Sequence, residues 1–172
     1  MTDTMLLGKV GAVATITFNN PAKRNAVSQA MWAAVPAMFD DIENDPAIRV
    51  VVVTGAGGAA FVSGADISEF EANRNSVESA RRYSETSNRA RDRLKHTPKP
   101  TIAMIRGYCI GGGLAVAMSC DLRIATEGST FGVPAAKLGI GYGEESVRPL
   151  VALVGPGMAK QILYTGRRID AN

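Results

Sequence analysis

The run RVVVVTG, at residues 49–55, constrains the fold more than any other part of the sequence. A continuous β-branched run of this kind is typical of a strand that is buried on both faces of a parallel sheet. An earlier strand is predicted over residues 10–18, where small and larger residues alternate. Because parallel strands need a crossover, we expect a helix between them. Ser28 is its predicted N-cap, Pro36 a predicted kink, and Asn44-Asp45-Pro46 its predicted end.

The rest of the chain repeats this alternation of strand, loop and helix. Residues 67–94 are polar and charged and predict exposed helices. TIAMIRG predicts a short buried strand, the glycines at 111–113 begin the helical run LAVAMSCD, and LRIAT predicts a further strand over 122–126. A chain of 172 residues with 46% hydrophobic and 20% charged residues suits one globular domain with a single core. We therefore predict a layered α/β architecture in one domain.

Composition argues against several classes of function. The formal net charge of +3 comes from scattered basic residues, so the sequence does not predict nucleic-acid binding. Two cysteines, Cys109 and Cys120, and the single histidine, His96, argue against a disulfide framework, a zinc site or a Ser-His-Asp triad. We expect His96 at the surface. Without an apolar run of about eighteen residues or a signal-peptide pattern, the chain is expected to be soluble and cytoplasmic, with no membrane partner.

The glycine-rich segment after the valine run resembles a dinucleotide-binding loop only in part. GAGGAA, at residues 55–60, fits the pattern G-x-G-x-x-G/A directly after a strand. The following FVSGAD prolongs the loop instead of opening a helix, and the next strand offers no clear acid for a ribose. A nucleotide-binding dehydrogenase is therefore the weaker interpretation. The sequence also has neither a Walker A loop nor a G-x-S-x-G elbow.

Four other segments carry a more specific signal. They are NPAKRNAVS at 20–28, SGADI at 63–67, GYCIGGGLAVAMSCD at 107–121 and FGVPAAKLGIG at 131–141. In this order and spacing they resemble the crotonase superfamily, also called the enoyl-CoA hydratase/isomerase family, over essentially the whole chain. The resemblance implies an α/β fold of the ClpP/crotonase type, a layered β-β-α superhelix.

Two of these segments suggest a site that binds an oxyanion. Small residues let a ligand approach the backbone closely, and the N-terminus of a helix favours negative charge. The resemblance implies that the backbone N–H groups of Ala65 and Gly112 polarise a thioester carbonyl and stabilise the enolate formed beside it. Tight packing of helix against strand is the alternative interpretation of the glycines at 111–113.

The resemblance also implies where the substrate and its CoA moiety lie. The turn with Lys23 and Arg24 would run along the CoA, where a basic side chain can meet a phosphate; ordinary solvated charges are the alternative. Asp66 is interpreted as a helix cap rather than an acid. The substrate and CoA positions implied in this way are Lys23, Arg24, Ser63, Ala65, Asp66, Ile67, Ile110, Gly111, Gly112, Pro134 and Ala135.

The sequence departs from the family pattern where the two hydratase glutamates are expected. Those positions are occupied by Ala115 and Ala135, and alanine cannot transfer a proton. Glu144 is the best replacement that the sequence offers, and Tyr142 is the second. Glu144 and its neighbour Glu145 could equally form the charged first turn of a helix, and Tyr142 could simply line the acyl pocket.

Three functions therefore remain open at this stage. The first is an enzyme of the hydratase/isomerase family that works through a CoA enolate. The second is decarboxylation of an acyl-CoA, which needs no general base, and the third is non-catalytic acyl-CoA binding. The resemblance implies no cofactor other than the CoA of the substrate, and a homotrimer or hexamer if the chain is completed. Relatives continue into further helices, so we expect residues 1–172 to form the core domain without the C-terminal helical region.

Overall fold

Two sheets form the framework of the protein, and strands in the middle of the chain belong to them in alternation. The computed structural model describes residues 3–69 and 76–171. The strands are β1 Met5–Val10, β2 Val13–Phe18, β3 Val50–Gly55, β4 Ala60–Val62, β5 Thr101–Ile105, β6 Tyr108–Ile110, β7 Leu122–Ala125, β8 Thr130–Gly132 and β9 Ile169–Asp170. The larger sheet has the strand order β1-β2-β3-β5-β7 and the smaller the order β4-β6-β8-β9.

Helices separate successive pairs of strands. They are α1 Gln29–Glu43, α2 Val77–His96, α3 Gly112–Ser119, α4 Ala135–Leu138 and α5 Glu144–Thr165. In each of the pairs β3/β4, β5/β6 and β7/β8 the first strand joins the larger sheet and the second joins the smaller, and a helix follows. Neighbouring strands from these pairs are parallel within both sheets. This repetition confirms the predicted layered β-β-α arrangement.

The prediction of one strand over residues 10–18 is wrong. The structure has an antiparallel hairpin, in which Val10 pairs with Val13 across a turn at Gly11 and Ala12. Gly11 has φ +55, the left-handed conformation that glycine adopts without strain. The alternation of small and large residues continues through this turn, so the pattern alone does not reveal it.

The valine run forms β3, between β2 and β5, as predicted, but its burial is one-sided. Val51 and Val53 are buried, whereas Val50 and Val52 are half-buried. Successive side chains of a strand point to opposite faces, so only one face of β3 lies fully against the core. The expectation of burial on both faces is therefore wrong.

The predicted helix between β2 and β3 is confirmed as α1, and so are its predicted start and end. The Ser28 side chain accepts a hydrogen bond from Met31 N, and the helix continues through Pro36 to end before Asn44. Its apolar face buries Trp32 and Phe39 among other residues. The unit β2-α1-β3 is thus a parallel crossover.

The polar segment after β4 forms an exposed helix, as predicted. Only Ser87, Ala90 and Leu94 of α2 are buried, and His96 at its end is exposed. Part of the predicted helical segment, residues 70–75, lies outside the described residues. The predicted strand at 122–126 is confirmed as β7, at the edge of the larger sheet.

Helix α5 follows the last sequence motif and contains a break. Gly155 has φ +75 and is followed by Pro156, so the helical run consists of two pieces. The first turn of α5 holds Glu144 and Glu145, as one of the two interpretations predicted.

Candidate active site

Two loops meet where β4 and β6 end. These strands are parallel neighbours, so the loops that follow them emerge at the same edge of the sheet. A Cβ atom built on Gly112 would lie 3.6 Å from Gly64 Cα and 3.7 Å from Ala65 N. Gly64 has φ +116 and Gly111 has φ +55, conformations that other residues rarely adopt. The glycines therefore bring the two backbones into direct contact.

The amide groups of Ala65 and Gly112 are both without an acceptor in the described part of the chain. Around Ala65, Gly64 O accepts from Val27 N at 2.8 Å and Asp66 N donates to Val27 O at 3.0 Å, which leaves the Ala65 N–H unused. Gly112 is the first residue of α3, where a backbone N–H has no partner within the helix. Two unpaired N–H groups on adjoining loops form the arrangement that an oxyanion hole requires.

The three glycines at 111–113 have different roles. Gly111 supplies the left-handed conformation, and Gly112 supplies the amide. A Cβ on Gly113 would overlap the carbonyl group of Val62, so this glycine allows α3 to pack against β4. Both interpretations of the cluster, packing and amide donation, therefore apply, but to different residues.

A network of polar side chains supports the loop that carries Ala65. The Nζ atom of Lys23 donates to Asp66 Oδ2 and to Ser68 Oγ, both at 2.8 Å. Asp66 Oδ1 also accepts from Ser68 N at 3.0 Å, as expected for a residue that caps the short 3-10 turn Ile67–Glu69. Burial opposes ionisation of Asp66, but the hydrogen bonds from Lys23 and Ser68 hold the pKa of its carboxyl below the ordinary value. Asp66 is therefore a carboxylate with a structural role, and at neutral pH it has no proton to donate.

Asn25 is a supporting residue that the sequence analysis did not single out. Its side chain is fully buried, donates to the carbonyl oxygens of Ala56 and Ala60 at 2.9 and 2.7 Å, and accepts from Asn20 N at 2.9 Å. It thereby ties the turn at 20–25 to the loop between β3 and β4. The signal available in the sequence is the residue type. Asn25 has a φ of +56, a conformation that asparagine tolerates better than most residues.

The predicted CoA-contacting cations are both engaged with the protein. Besides the contact of Lys23 with Asp66, the Arg24 guanidinium lies 5.1 Å from the centroid of the Tyr108 ring. Arg168 lies at the same distance from that ring. The Lys23 side chain is nevertheless 51% exposed, so it remains accessible to a ligand. Contact with a CoA phosphate stays a prediction.

A cavity of about 200 Å³ opens beside the two free amides. We call it the amide cavity. Its walls come from the loop at Ala65, the start of α3, helix α2, and the segment that leads into α5. Tyr142 lines it, with a hydroxyl oxygen 3.7 Å from the position of a Cβ on Gly111. Ala115, which stands where the family pattern has one of its two glutamates, lines this cavity as well.

Glu144 does not line the amide cavity. Its side chain is 76% exposed and pairs with Arg148 one turn along α5. The hydrogen bond from Arg148 and its charge lower the pKa of the Glu144 carboxyl. Glu144 lines a neighbouring cavity of about 370 Å³. The catalytic role assigned to Glu144 stays a prediction, and the geometry does not favour it.

Glu145 and Arg91 line both cavities and so mark the boundary between them. A Cβ on Gly143 would collide with the Glu145 carboxylate, so glycine lets this side chain fold over the start of α5. In the sequence Glu145 stands out only as the neighbour of Glu144, and Arg91 does not stand out. No local pattern distinguishes them, because their proximity depends on how α2 and α5 lie around the two cavities.

The remaining predicted positions surround the two loops. Ser63 Oγ donates to Lys23 O at 3.3 Å, and Ile110 O lies 3.4 Å from the position of a Cβ on Gly64. Pro134 Cδ lies 4.0 Å from the position of a Cβ on Gly111. Ala135 is buried at the start of α4, and Ile67 is 74% exposed. Contact of these residues with substrate stays a prediction.

Residues 3–69 and 76–171 offer little support for a metal site, a reactive thiol or a membrane-spanning helix. No group of three or more His, Cys, Asp or Glu side chains within these ranges could hold a metal ion. Both cysteines are free and buried, and burial raises the pKa of Cys109 and, to about 12, that of Cys120. No helix within the same ranges is long and apolar enough to cross a membrane.

Comparison with known proteins identifies the family to which this fold belongs. The family model "Enoyl-CoA hydratase/isomerase" matches residues 8–172, so the chain belongs to this family. The chain is 40% identical over 168 residues to a short-chain-enoyl-CoA hydratase of Clostridium acetobutylicum. It is 36% identical over 170 residues to a crotonyl-CoA hydratase of Syntrophomonas wolfei. These matches cover 98% and 99% of this chain.

Solved structures agree with the assignment. An enoyl-CoA hydratase/carnithine racemase from Magnetospirillum magneticum matches with a TM-score of 0.95 and 38% identity, over 99% of this chain and 64% of that one. An enoyl-CoA hydratase/isomerase from Xanthobacter autotrophicus Py2 matches with a TM-score of 0.91 and 37% identity, over 99% and 63%. The predicted family and fold are thus confirmed. The chain spans 64% and 65% of the lengths of the two curated relatives named above.

Proposed function

We propose that this protein binds an acyl-CoA thioester with its carbonyl oxygen between the N–H groups of Ala65 and Gly112. The observation that carries the proposal is the pair of unpaired amides on adjoining loops beside a cavity. Two donors aimed at one oxygen are worth most when negative charge develops on it, as in an enolate. The site therefore suits reactions that form or break a bond next to a thioester carbonyl.

Two relatives are named as enoyl-CoA hydratases, so hydration of a short enoyl-CoA is the reaction to test first. Hydration needs a group that moves protons between water and the substrate. Ala115 and Ala135 cannot transfer a proton, and the Glu144 carboxylate forms an ion pair with Arg148. Among the described residues, the one carboxylate that lines the amide cavity is that of Glu145. We therefore assign proton transfer to Glu145, in preference to the Glu144 of the sequence analysis.

Decarboxylation is a second candidate, favoured by the alanines at 115 and 135. When a carboxylate on the α-carbon leaves as CO₂, the electron pair of the broken C–C bond remains in the enolate, and a proton from water or Glu145 then completes the thioester. This bond cleavage requires no base. The oxyanion hole alone supplies the main stabilisation.

The experiment compares two variants that remove adjacent carboxylates, Glu145→Gln and Glu144→Gln. Turnover of crotonyl-CoA and methylmalonyl-CoA is measured for both and for the unchanged protein, together with calorimetric binding of each thioester. If Glu145 transfers the proton, hydration falls about 10²- to 10⁴-fold in Glu145→Gln, because general acid-base catalysis contributes about that much. Glu144→Gln is expected to keep its activity.

Other outcomes separate the alternatives. Loss of activity in Glu144→Gln alone would restore the assignment made from the sequence. Turnover of methylmalonyl-CoA that survives both substitutions would favour decarboxylation. Tight binding of thioesters without any turnover would favour a non-catalytic acyl-CoA binding protein, and no binding at all would contradict the proposal.

Self-association into a trimer or hexamer, and a cytoplasmic location, also remain proposals. Large apolar side chains that are 41% to 60% exposed on β7 and α5 support the first, since contiguous exposed apolar surface commonly marks an interface. They are Leu122, Ile124, Leu153, Val154 and Met158.

A further inference from the structure

A half-buried arginine in the wall of the amide cavity has no role in the chemistry described above. Arg91 lies on α2 and lines both the amide cavity and its neighbour. Among the described residues that line the amide cavity, it is the one with a positive charge. A cation beside the acyl group of a bound thioester can favour substrates whose acyl group carries a negative charge.

The guanidinium is held in place by neutral groups. Its Nη1 atom donates to Ser146 Oγ at 3.3 Å, its Nη2 atom donates to Asn88 Oδ1, and its Nε atom donates to Ser87 O at 3.4 Å. Within the described part of the chain no carboxylate lies within 4.0 Å of it, although Glu145 lines the same cavity. Arg91 is therefore an oriented cation whose charge no carboxylate in residues 3–69 and 76–171 neutralises through an ion pair.

Ala115 extends the same wall. It lines both cavities, as Arg91 does, and its methyl side chain leaves space between the amide cavity and the larger cavity beyond. An acyl group bound with its carbonyl at Ala65 and Gly112 thus faces a wall with one small apolar residue and one guanidinium. Arginine binds carboxylates through two parallel hydrogen bonds, and the fixed planar group loses little freedom on binding.

We propose that Arg91 binds a second carboxylate on the acyl group, so that the preferred ligands are CoA thioesters of dicarboxylic acids. This inference rests on the proposed function, because it assumes that the thioester carbonyl occupies the paired amides. It adds the chemical class of the acyl chain, which the paired amides do not determine. Arg91 is a specificity-determining residue in this account and takes no part in proton transfer.

The test measures calorimetric binding of thioesters in pairs of equal chain length. Each pair contrasts a neutral acyl group with a carboxylated one: propionyl-CoA with malonyl-CoA, butyryl-CoA with succinyl-CoA, and pentanoyl-CoA with glutaryl-CoA. The unchanged protein is expected to bind at least one carboxylated member about 10- to 100-fold more tightly than its neutral partner, the range of a good charge-assisted pair.

The variants are Arg91→Met, Arg91→Lys and, as a matched control, Lys95→Met. Lys95 is a cation one turn along α2 that lines only the neighbouring cavity. Arg91→Met is expected to remove the preference, and the binding of the neutral thioester that it retains shows that the variant is folded. Arg91→Lys is expected to keep part of the preference, because it restores the charge without the planar fork. Lys95→Met is expected to retain all of it.

Two results would overturn the inference in different ways. If neutral thioesters bind and no carboxylated one binds more tightly, or if the preference persists in Arg91→Met, the inference fails and the proposed function stands. If no thioester of either kind binds to the unchanged protein, both fail together.

Discussion

The two ends of the amide cavity are built from different parts of the polypeptide. At the end where we propose that the thioester carbonyl binds, called the thioester end, the polar groups are the backbone amides of Ala65 and Gly112, on loops that contain glycines with positive φ. At the other end, where we propose that the acyl group lies, called the acyl end, they are the side chains of Arg91 and Glu145, on two helices that line the same cavity. The first end depends on local chain geometry and the second on tertiary packing. We therefore expect the thioester end to respond to changes at glycine, and the acyl end to changes of charge.

The largest effect that we expect at the thioester end is that of Gly112→Ala. The added methyl group would lie 3.7 Å from Ala65 N, an ordinary contact distance, so the fold accommodates it. Both N–H groups remain, but we expect the methyl group beside Ala65 N to hinder the approach of an oxyanion to both of them at once. Loss of one hydrogen bond in such a site lowers turnover about 10²- to 10³-fold. Steady-state kinetics on the best thioester, with thermal unfolding as the check on folding, test this. Full activity in a folded variant would exclude the amide pair as the catalytic site.

Gly113→Ala changes the residue next to Gly112, but here the expected effect is on the stability of the fold rather than on turnover. Its methyl group would overlap the Val62 carbonyl, and backbone atoms cannot move aside cheaply. Overpacking of this kind lowers the free energy of unfolding by about 1 to 3 kcal/mol. Chemical denaturation measures it, with Gly128→Ala as the control, since a Cβ at Gly128 would meet nothing within 4 Å. Equal stability of the two variants would contradict the packing role.

A smaller and pH-dependent effect is expected for Asp66→Asn. The substitution removes the ion pair with Lys23, and we expect a loss of about 1 to 3 kcal/mol at neutral pH. The pKa of Asp66 is lower in the folded protein than in the unfolded chain, so its stabilisation is fully present above the unfolded value of about 3.9. It is lost as the pH falls through the folded value.

The difference in stability between the unchanged protein and Asp66→Asn should therefore be constant at neutral pH and should shrink in acid. Denaturation curves between pH 7 and pH 3 measure this difference. A gap that stays constant or widens toward low pH would show that Asp66 is not held as an anion by Lys23.

The sequence predicts which two loops adjoin at the thioester end, but it does not show which side chains line the acyl end. Glycines at 64 and 111–113 mark backbone conformations and close approaches that few other residues permit, so the loops can be identified from local spacing. Arg91 is one of several arginines on a polar helix, and nothing in its neighbours shows that it faces a cavity. For the same reason the sequence does not distinguish Glu144 from Glu145, which follow each other in the first turn of α5.

The errors in the fold have a similar origin. Alternation of residue size continued through the turn at Gly11, so the pattern did not show where β1 ends and β2 begins. The valine run predicted β3 correctly, but composition does not tell how much of each face is covered. In both cases the sequence predicts a strand, but the position of the turn and the burial of each face depend on how that strand packs against the rest of the fold.

Infrared difference spectroscopy of a bound acyl-CoA, with ¹³C at the thioester carbonyl, tests the central claim most directly. Hydrogen bonds from the Ala65 and Gly112 amides should polarise the carbonyl and lower its stretching frequency relative to the thioester in water. In Gly112→Ala the frequency should return toward the value in water. An unshifted carbonyl in the unchanged protein, or the same shift in both proteins, would show that the carbonyl does not bind between these two amides.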